Sequence, residues 1–308
     1  MQRALVQKKL AKWTSSMSGI RIFIVITCYN KEKYIGDAIK SAIEEANDVI
    51  VVDDCSTDNS LKEINKFPGV ISLSLTENSG SSASTYIGVK KAIELGADFV
   101  ILLDGDDVLA EGSAKYYRGV IEKENVDAIY STCVRSNEID MRTSSSRVDP
   151  CSDYTIILNP LSTYLSQPKA TTALCAKPHL IIEDLVVEAK VQDDQIGLSI
   201  HRNSKKLCYA SAKTHFASHP VLGQNLCLDV TTNRISRIKS YKANWEKIYT
   251  NREFINYQER AKFQVYRLRH SKLFPKYFSL LLIITTPFEN ILPRWIKHKL
   301  ILKSCEFI

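Results

Sequence analysis

Three carboxylates crowd into four residues, Asp104, Asp106 and Asp107, in the run Asp-Gly-Asp-Asp. Like charges this close repel unless a cation or hydrogen-bond donors hold them. Hard divalent cations take carboxylate oxygens together with substrate phosphates, so the cluster has the chemistry of a Mg²⁺ or Mn²⁺ site. The plain alternative is an acidic turn that caps the next helix. A second acidic pair, Asp53-Asp54, follows Val-Ile-Val-Val. A carboxylate at such a strand end accepts hydrogen bonds from a base or a ribose hydroxyl, whereas the ordinary role of Asp and Ser there is capping. A third pair, Asp193-Asp194, heads a segment in which Ile196 and Ile200 recur at helical spacing. Either carboxylate could take a proton from an attacking hydroxyl, and helix N-terminal charge is the competing explanation.

The elements that would hold these groups are legible as alternating patterns. Arg21–Thr27 is an apolar, β-branched run suited to a buried parallel strand. Tyr34–Ala46 places Ile35, Ala38, Ile39, Ala42, Ile43 and Ala46 on one helix face. Val49–Asp53 is a second strand; Ser56 and Asp58 are candidate caps for the helix after it, and Pro68-Gly69 closes the unit. Val70–Leu75, a helix over Ser81–Leu95 stopped by Gly96, and Phe99–Leu103 complete the alternation. Such order predicts an α/β domain with a mainly parallel sheet, flanking helices and right-handed crossovers. Ligands bind beyond the carboxyl ends of strands in these sheets. Three polar clusters fall there: Thr27–Asn30, Asp53–Ser56 and Asp104–Asp107. Asp127–Val134 predicts a further strand and residues 135–153 a loop. Residues 234–268 predict a basic helical stretch. No Gly-x-Gly-x-x-Gly is present, which argues against a dinucleotide fold.

Four ordered motifs carry a resemblance: Thr27-Cys-Tyr-Asn-Lys-Glu-Lys-Tyr-Ile, Val-Asp53-Asp54-Cys-Ser-Thr-Asp-Asn-Ser, Asn78-Ser-Gly80 and Leu-Asp104-Gly-Asp-Asp107. Together, over about residues 20–135, they look like the inverting glycosyltransferases of family two. The resemblance implies a GT-A (Rossmann-like) fold, a nucleotide-diphosphate-sugar donor and a Mn²⁺ or Mg²⁺ ion. Carried over, Thr27, Tyr29, Asn78 and Gly80 would line the donor site, and Asp54 would hold the base with Asp53 beside it. Asp104 would contact the ribose or sugar, and Asp106 or Asp107 would bind the metal. Asp193 would be the base that deprotonates the acceptor hydroxyl, with Asp194 as the alternative. The chain departs from the family at Thr85 and Tyr86, where an Arg-Asn pair is usual, and at Ser199, where an Arg is usual. These departures motivate a second reading, a non-catalytic glycan- or nucleotide-binding relative. The Gln-x-x-Arg-Trp signature of processive synthases is absent, which favours single addition. His215 and His219 lie where some relatives place a metal- or phosphate-binding histidine, although a lone His is more often packed.

The composition is that of a globular protein, with 44% hydrophobic and 24% charged residues among 308. The net charge of +7 is uneven: residues from Thr231 onward carry +11 and the preceding ones −4. The expected division is a basic extension over 1–19, a GT-A domain over 20–230 (donor half 20–135, acceptor half 136–230), and a mostly helical basic region over 231–308. Tyr277–Lys303 mixes apolar and basic residues, which suits peripheral attachment to an anionic membrane; a packing helix with a basic outer face is the alternative. No apolar run reaches the roughly 20 residues a spanning helix needs. Eight scattered cysteines form no metal or disulfide spacing, so a reduced cytoplasmic setting is expected, and no signal peptide. The expected partners are a UDP-sugar and a glycan or lipid-linked acceptor in surface polysaccharide assembly such as lipopolysaccharide, with no nucleic acid.

Overall fold

The computed structural model describes residues 19–46, 48–136, 147–158, 160, 172–185, 187 and 192–218. The N-terminal extension before Gly19, the basic C-terminal region, His219 and the Tyr277–Lys303 segment lie outside the described residues.

Nine strands form one sheet in the order β3-β2-β1-β4-β8-β6-β9-β5, with β7 paired to β9. In chain order these are β1 (Ile22–Cys28), β2 (Asp48–Asp53), β3 (Ile71–Ser74), β4 (Phe99–Asp104), β5 (Asp107–Leu109), β6 (Ala128–Ser136), β7 (Tyr154–Leu158), β8 (Leu174–Ala176) and β9 (Lys206–Ser218). The helices are α1 (Ile35–Glu45), α2 (Ser60–Ile64), α3 (Ser81–Glu94), α4 (Ser113–Glu124), α5 (Pro178–Ile182) and α6 (Asp193–Asn203).

Strand β1 shows why the apolar run had no polar alternation. Ile22, Ile24, Ile26 and Cys28 pack with Ile35 and Ile39 of α1 and Tyr117 and Ile121 of α4 on one face. Phe23 and Val25 pack on the other face with Val89 of α3, Leu180 of α5, and Ile196 and Ile200 of α6. A strand covered on both sides has no wet face, and each fully buried Ile contributes about 1.5–3 kcal/mol. The helices thus divide into two layers around the sheet.

The expectation of a mainly parallel sheet holds for the first four strands, where β3, β2, β1 and β4 pair in parallel. Beyond β4 the sheet is mixed: β8 is antiparallel to both β4 and β6, β9 is parallel to β6, and β5 and β7 run antiparallel to β9. The difference has a local cause. Among the described residues, the repeated strand–helix crossovers that return the chain in the same direction lie in the first half.

Glu45, at the end of α1, accepts the backbone N–H groups of Gly112 and Ala114 at 2.6 and 2.8 Å and so caps α4 from a neighbouring helix. Burial raises its pKa, and those two bonds oppose the rise. Among the described residues no helix is long and apolar enough to cross a membrane.

Candidate functional site at the carboxyl edge of the sheet

Parallel register brings the three polar clusters together. Thr27 lies opposite Asp104 across β1 and β4, and Cys28 lies opposite Asp53 across β1 and β2. Beyond these ends the loops after β1 and β2 are tied side by side. Asn30 N–H donates to Ser56 Oγ at 2.9 Å, Thr57 N–H to Asn30 Oδ1 at 2.8 Å and Lys31 N–H to Ser60 Oγ at 2.7 Å. Asn30 and Cys55 both take positive φ, and Asn is among the few side chains that tolerate it. Ser56 therefore serves the neighbouring loop, not the helix expected after it. Asp58 does meet α2, accepting Ser60 N–H at 2.8 Å.

Asp54 is buried, and its two oxygens accept Ser79 N–H at 2.7 Å and Gly80 N–H at 2.8 Å. It thereby fixes the Asn78-Ser-Gly80 turn, where Gly80 (φ 90°, ψ 167°) adopts a backbone conformation that side chains disfavour. Asp53 accepts Ser56 N–H with one oxygen, while its Oδ1 is buried without a partner. Tyr29 and Asn78 are exposed at the same edge.

Gly105 N–H donates to Thr27 O at 2.9 Å, and a Cβ at Gly105 would stand 2.9 Å from that same oxygen. Only glycine lets the acidic loop come this close to β1. Gly105→Ala is therefore expected to push the loop that carries Asp104 and Asp106 away from β1 and to lower the midpoint of thermal unfolding, read by calorimetry.

The three loop carboxylates meet different surroundings. Asp104 is exposed at the end of β4. Asp106 receives the Lys31 ammonium at 2.7 Å, with both side chains largely covered at 13% and 14% exposure. Asp107 is buried within β5, opposite Ala217 of β9. Lys31 was not singled out from sequence, since a lysine in a polar loop carries no signal of its partner. Among the described residues no three His, Cys, Asp or Glu side chains form a ready cation cage. Asp104 and Asp106 nonetheless fit a hard cation of the kind held by one or two carboxylates plus substrate phosphates.

Helix α6 delivers the remaining acidic pair. Ile196 and Ile200 are buried and anchor it to the sheet, while Asp193 is exposed in its first turn. The preceding Gln192 is buried and shares a small cavity with Thr27, Thr85 and Asp104, so the head of α6 meets the ends of β1 and β4. The Asp194 side chain lies outside the described residues.

His215 is not a surface ligand. It is fully buried in β9, its Nε2 donating to Leu102 O at 3.2 Å and its Nδ1 accepting from Thr214 Oγ1 at 2.8 Å. Burial lowers its pKa from 6.5 to about 4, keeping it neutral. Between those two values the unfolded chain binds the proton that the folded chain refuses, so acidification favours unfolding. Urea titrations should show the parent losing roughly 2 kcal/mol more stability than His215→Gln between about pH 7 and pH 5.

The model of the family "Glycosyl transferase family 2" matches residues 23–174. Over 119 residues the chain is 26% identical to the poly(ribitol-phosphate) beta-N-acetylglucosaminyltransferase TarS of Staphylococcus aureus, covering 36% of this chain and 20% of that protein. Over 102 residues it is 33% identical to the UDP-N-acetylglucosamine–dolichyl-phosphate N-acetylglucosaminyltransferase of Methanococcus voltae, covering 28% of this chain and 41% of that one. The chain thus aligns with less than half the length of either relative. The crystal structure of S. aureus TarS 1–349 in complex with UDP superposes with a TM-score of 0.61 at 18% identity, over 81% of this chain and 72% of that chain. That likeness establishes the fold, a GT-A mixed sheet flanked by helices.

Proposed function

Residues 23–174 belong to glycosyl transferase family 2, and on that premise we propose that the protein moves a sugar from a UDP-sugar to a hydroxyl of a glycan or lipid-linked acceptor, with inversion. The observation that carries the reading is the convergence at one sheet edge of Thr27, Asp53 and Asp104 with the acidic head of α6. A donor bound over the β1 and β2 ends meets the loop that Asp54 holds. The turn at Gly80 then presents α3's N-terminus, whose partial positive charge favours a phosphate. A divalent cation held by Asp104 and Asp106 together with the donor's diphosphate would offset the charge that builds on the leaving group.

Inverting transfer asks for one base on the acceptor side. Asp193 is exposed in the first turn of α6, placed to take the proton from the acceptor hydroxyl as that oxygen attacks the anomeric carbon. The names of the relatives, one acting on a poly(ribitol-phosphate) and one on dolichyl phosphate, support an acceptor in cell-surface polymer or lipid-linked glycan synthesis. Peripheral contact of the basic C-terminal region with the inner membrane face belongs to the same proposal.

The test is nucleotide release from a panel of nucleotide sugars with Mn²⁺, on the full chain and on Asp106→Asn, with UDP binding measured on the same samples. Release from one donor, lost with chelator and in the variant, carries the reading. Absence of both release and UDP binding across the panel would sink it and leave a non-catalytic relative.

A further inference from the structure

We propose that the small pocket between β1, β4, α3 and the head of α6 is a subsite for a single hydroxyl of the donor's sugar, read by Thr85 and Gln192. The inference rests on the donor-binding role proposed above and goes beyond it, because that role uses neither Thr85 nor Gln192.

The cavity has a volume of about 10 Å³, enough for one water-sized group and too small for a phosphate or an acetamido arm. Its apolar wall is Val25, Leu102 and Leu103, and its polar side is Thr27, Thr85, Thr172, Gln192 and Asp104. Thr85, on α3, is 1% exposed, and Gln192, before α6, is 6% exposed. Thr85 Oγ1 and Gln192 Oε1 have no hydrogen-bond partner among the described residues. Two such atoms on separate elements around one void are not an accident of packing, since a buried polar atom left unpaired is costly.

Their chemistry names the occupant. An amide oxygen only accepts, and a threonine hydroxyl both donates and accepts. A single O–H group placed between them donates to Gln192 Oε1 and accepts from the Thr85 hydroxyl, which satisfies both. Among the described residues that line it, no cationic side chain is present to receive an anion.

Water and a sugar hydroxyl share this chemistry, and the position of the pocket favours the sugar. It borders Asp104, the exposed carboxylate on the donor side, and Gln192, whose chain neighbour Asp193 is the proposed base. The sugar must lie between those two groups in any transfer, so one of its hydroxyls reaches the pocket.

The experiment is calorimetric titration of the full chain with UDP and with UDP-N-acetylglucosamine, for the parent, Thr85→Val and Gln192→Leu. Thr85→Val keeps the shape and removes only the hydroxyl. The expected result is UDP affinity within twofold of the parent in both variants and a loss of about tenfold or more for the nucleotide sugar. Thermal unfolding of each variant checks that the fold is kept. Should Thr85→Val leave both affinities unchanged, the pocket holds only a buried water and the proposal falls. Equal losses for UDP and UDP-N-acetylglucosamine would also overturn it, pointing to a general disturbance of the donor edge. If the parent binds neither ligand, the donor-binding reading itself fails, an outcome distinct from indifference at Thr85.

Discussion

Asp106→Asn is expected to lower donor turnover by about a thousandfold while the protein still unfolds cooperatively at close to the parent temperature. The asparagine keeps the size and an oxygen acceptor for the Lys31 ammonium, so the ion pair becomes a hydrogen bond from ammonium to amide oxygen. What it removes is the negative charge two residues from Asp104, the exposed carboxylate of this loop. Lys31 gives the prediction a second arm. In the structure its ammonium neutralises Asp106 at 2.7 Å, on side chains only 13–14% exposed. Any cation bound there competes with it. Lys31→Met should therefore tighten Mn²⁺ binding in the presence of UDP, and Asp106→Asn should abolish it, both read by titration without turnover. Unchanged Mn²⁺ affinity in both variants would place the metal elsewhere. The same cluster predicts that chelator removes turnover in the parent and has no further effect on the residual rate of Asp106→Asn.

How much of this was legible in sequence follows the physics of each element. β1, β2 and β4 were readable because a strand buried on both faces is a continuous apolar run, and Ile22–Cys28 has no polar interruption until it reaches the ligand edge. α1 was readable because Ile35, Ala38, Ile39 and Ala42 recur at its period and all are buried. The second half gave less. β5 is three residues and β8 is three residues, too short for any period to show. Their place is set by antiparallel pairing to β9 and to β4 and β6, contacts made more than forty residues along the chain. The same long reach hid the burial of Asp107, which lies in β5 against β9. It also hid the role of His215, whose ring fits under Leu102 of β4. For the site, residue types and order announced the carboxylates. The sequence could not say that Asp54 spends both oxygens on the Ser79-Gly80 turn, or that Gln192 and Thr85 face a common void. Those facts depend on where two remote backbones meet, and only the folded sheet supplies that.

The acceptor side gives the other large effect. Asp193→Asn should reduce sugar transfer by two to four orders of magnitude, leaving UDP affinity within twofold of the parent. Asp193 is exposed at the start of a helix whose Ile196 and Ile200 are fully buried, so the substitution touches no core contact and the helix should hold its place. Helix N-termini favour a carboxylate over an amide by about 0.3–1 kcal/mol, so a purely structural role would cost at most a few degrees of melting temperature. Loss of a general base has a different signature. Transfer falls through kcat while the donor KM is little changed, and the acidic limb of the pH profile for kcat disappears. Asp194→Asn, one residue further along the helix, should retain most of the transfer rate if Asp193 takes the proton, because successive helical residues point about 100° apart. A reversed result, with Asp194→Asn silent and Asp193→Asn active, would move the base by one residue and rotate the acceptor site around α6. Equal loss in both, without a change in KM, would mean that the pair acts as one charge at the helix head and that no single carboxylate takes the proton.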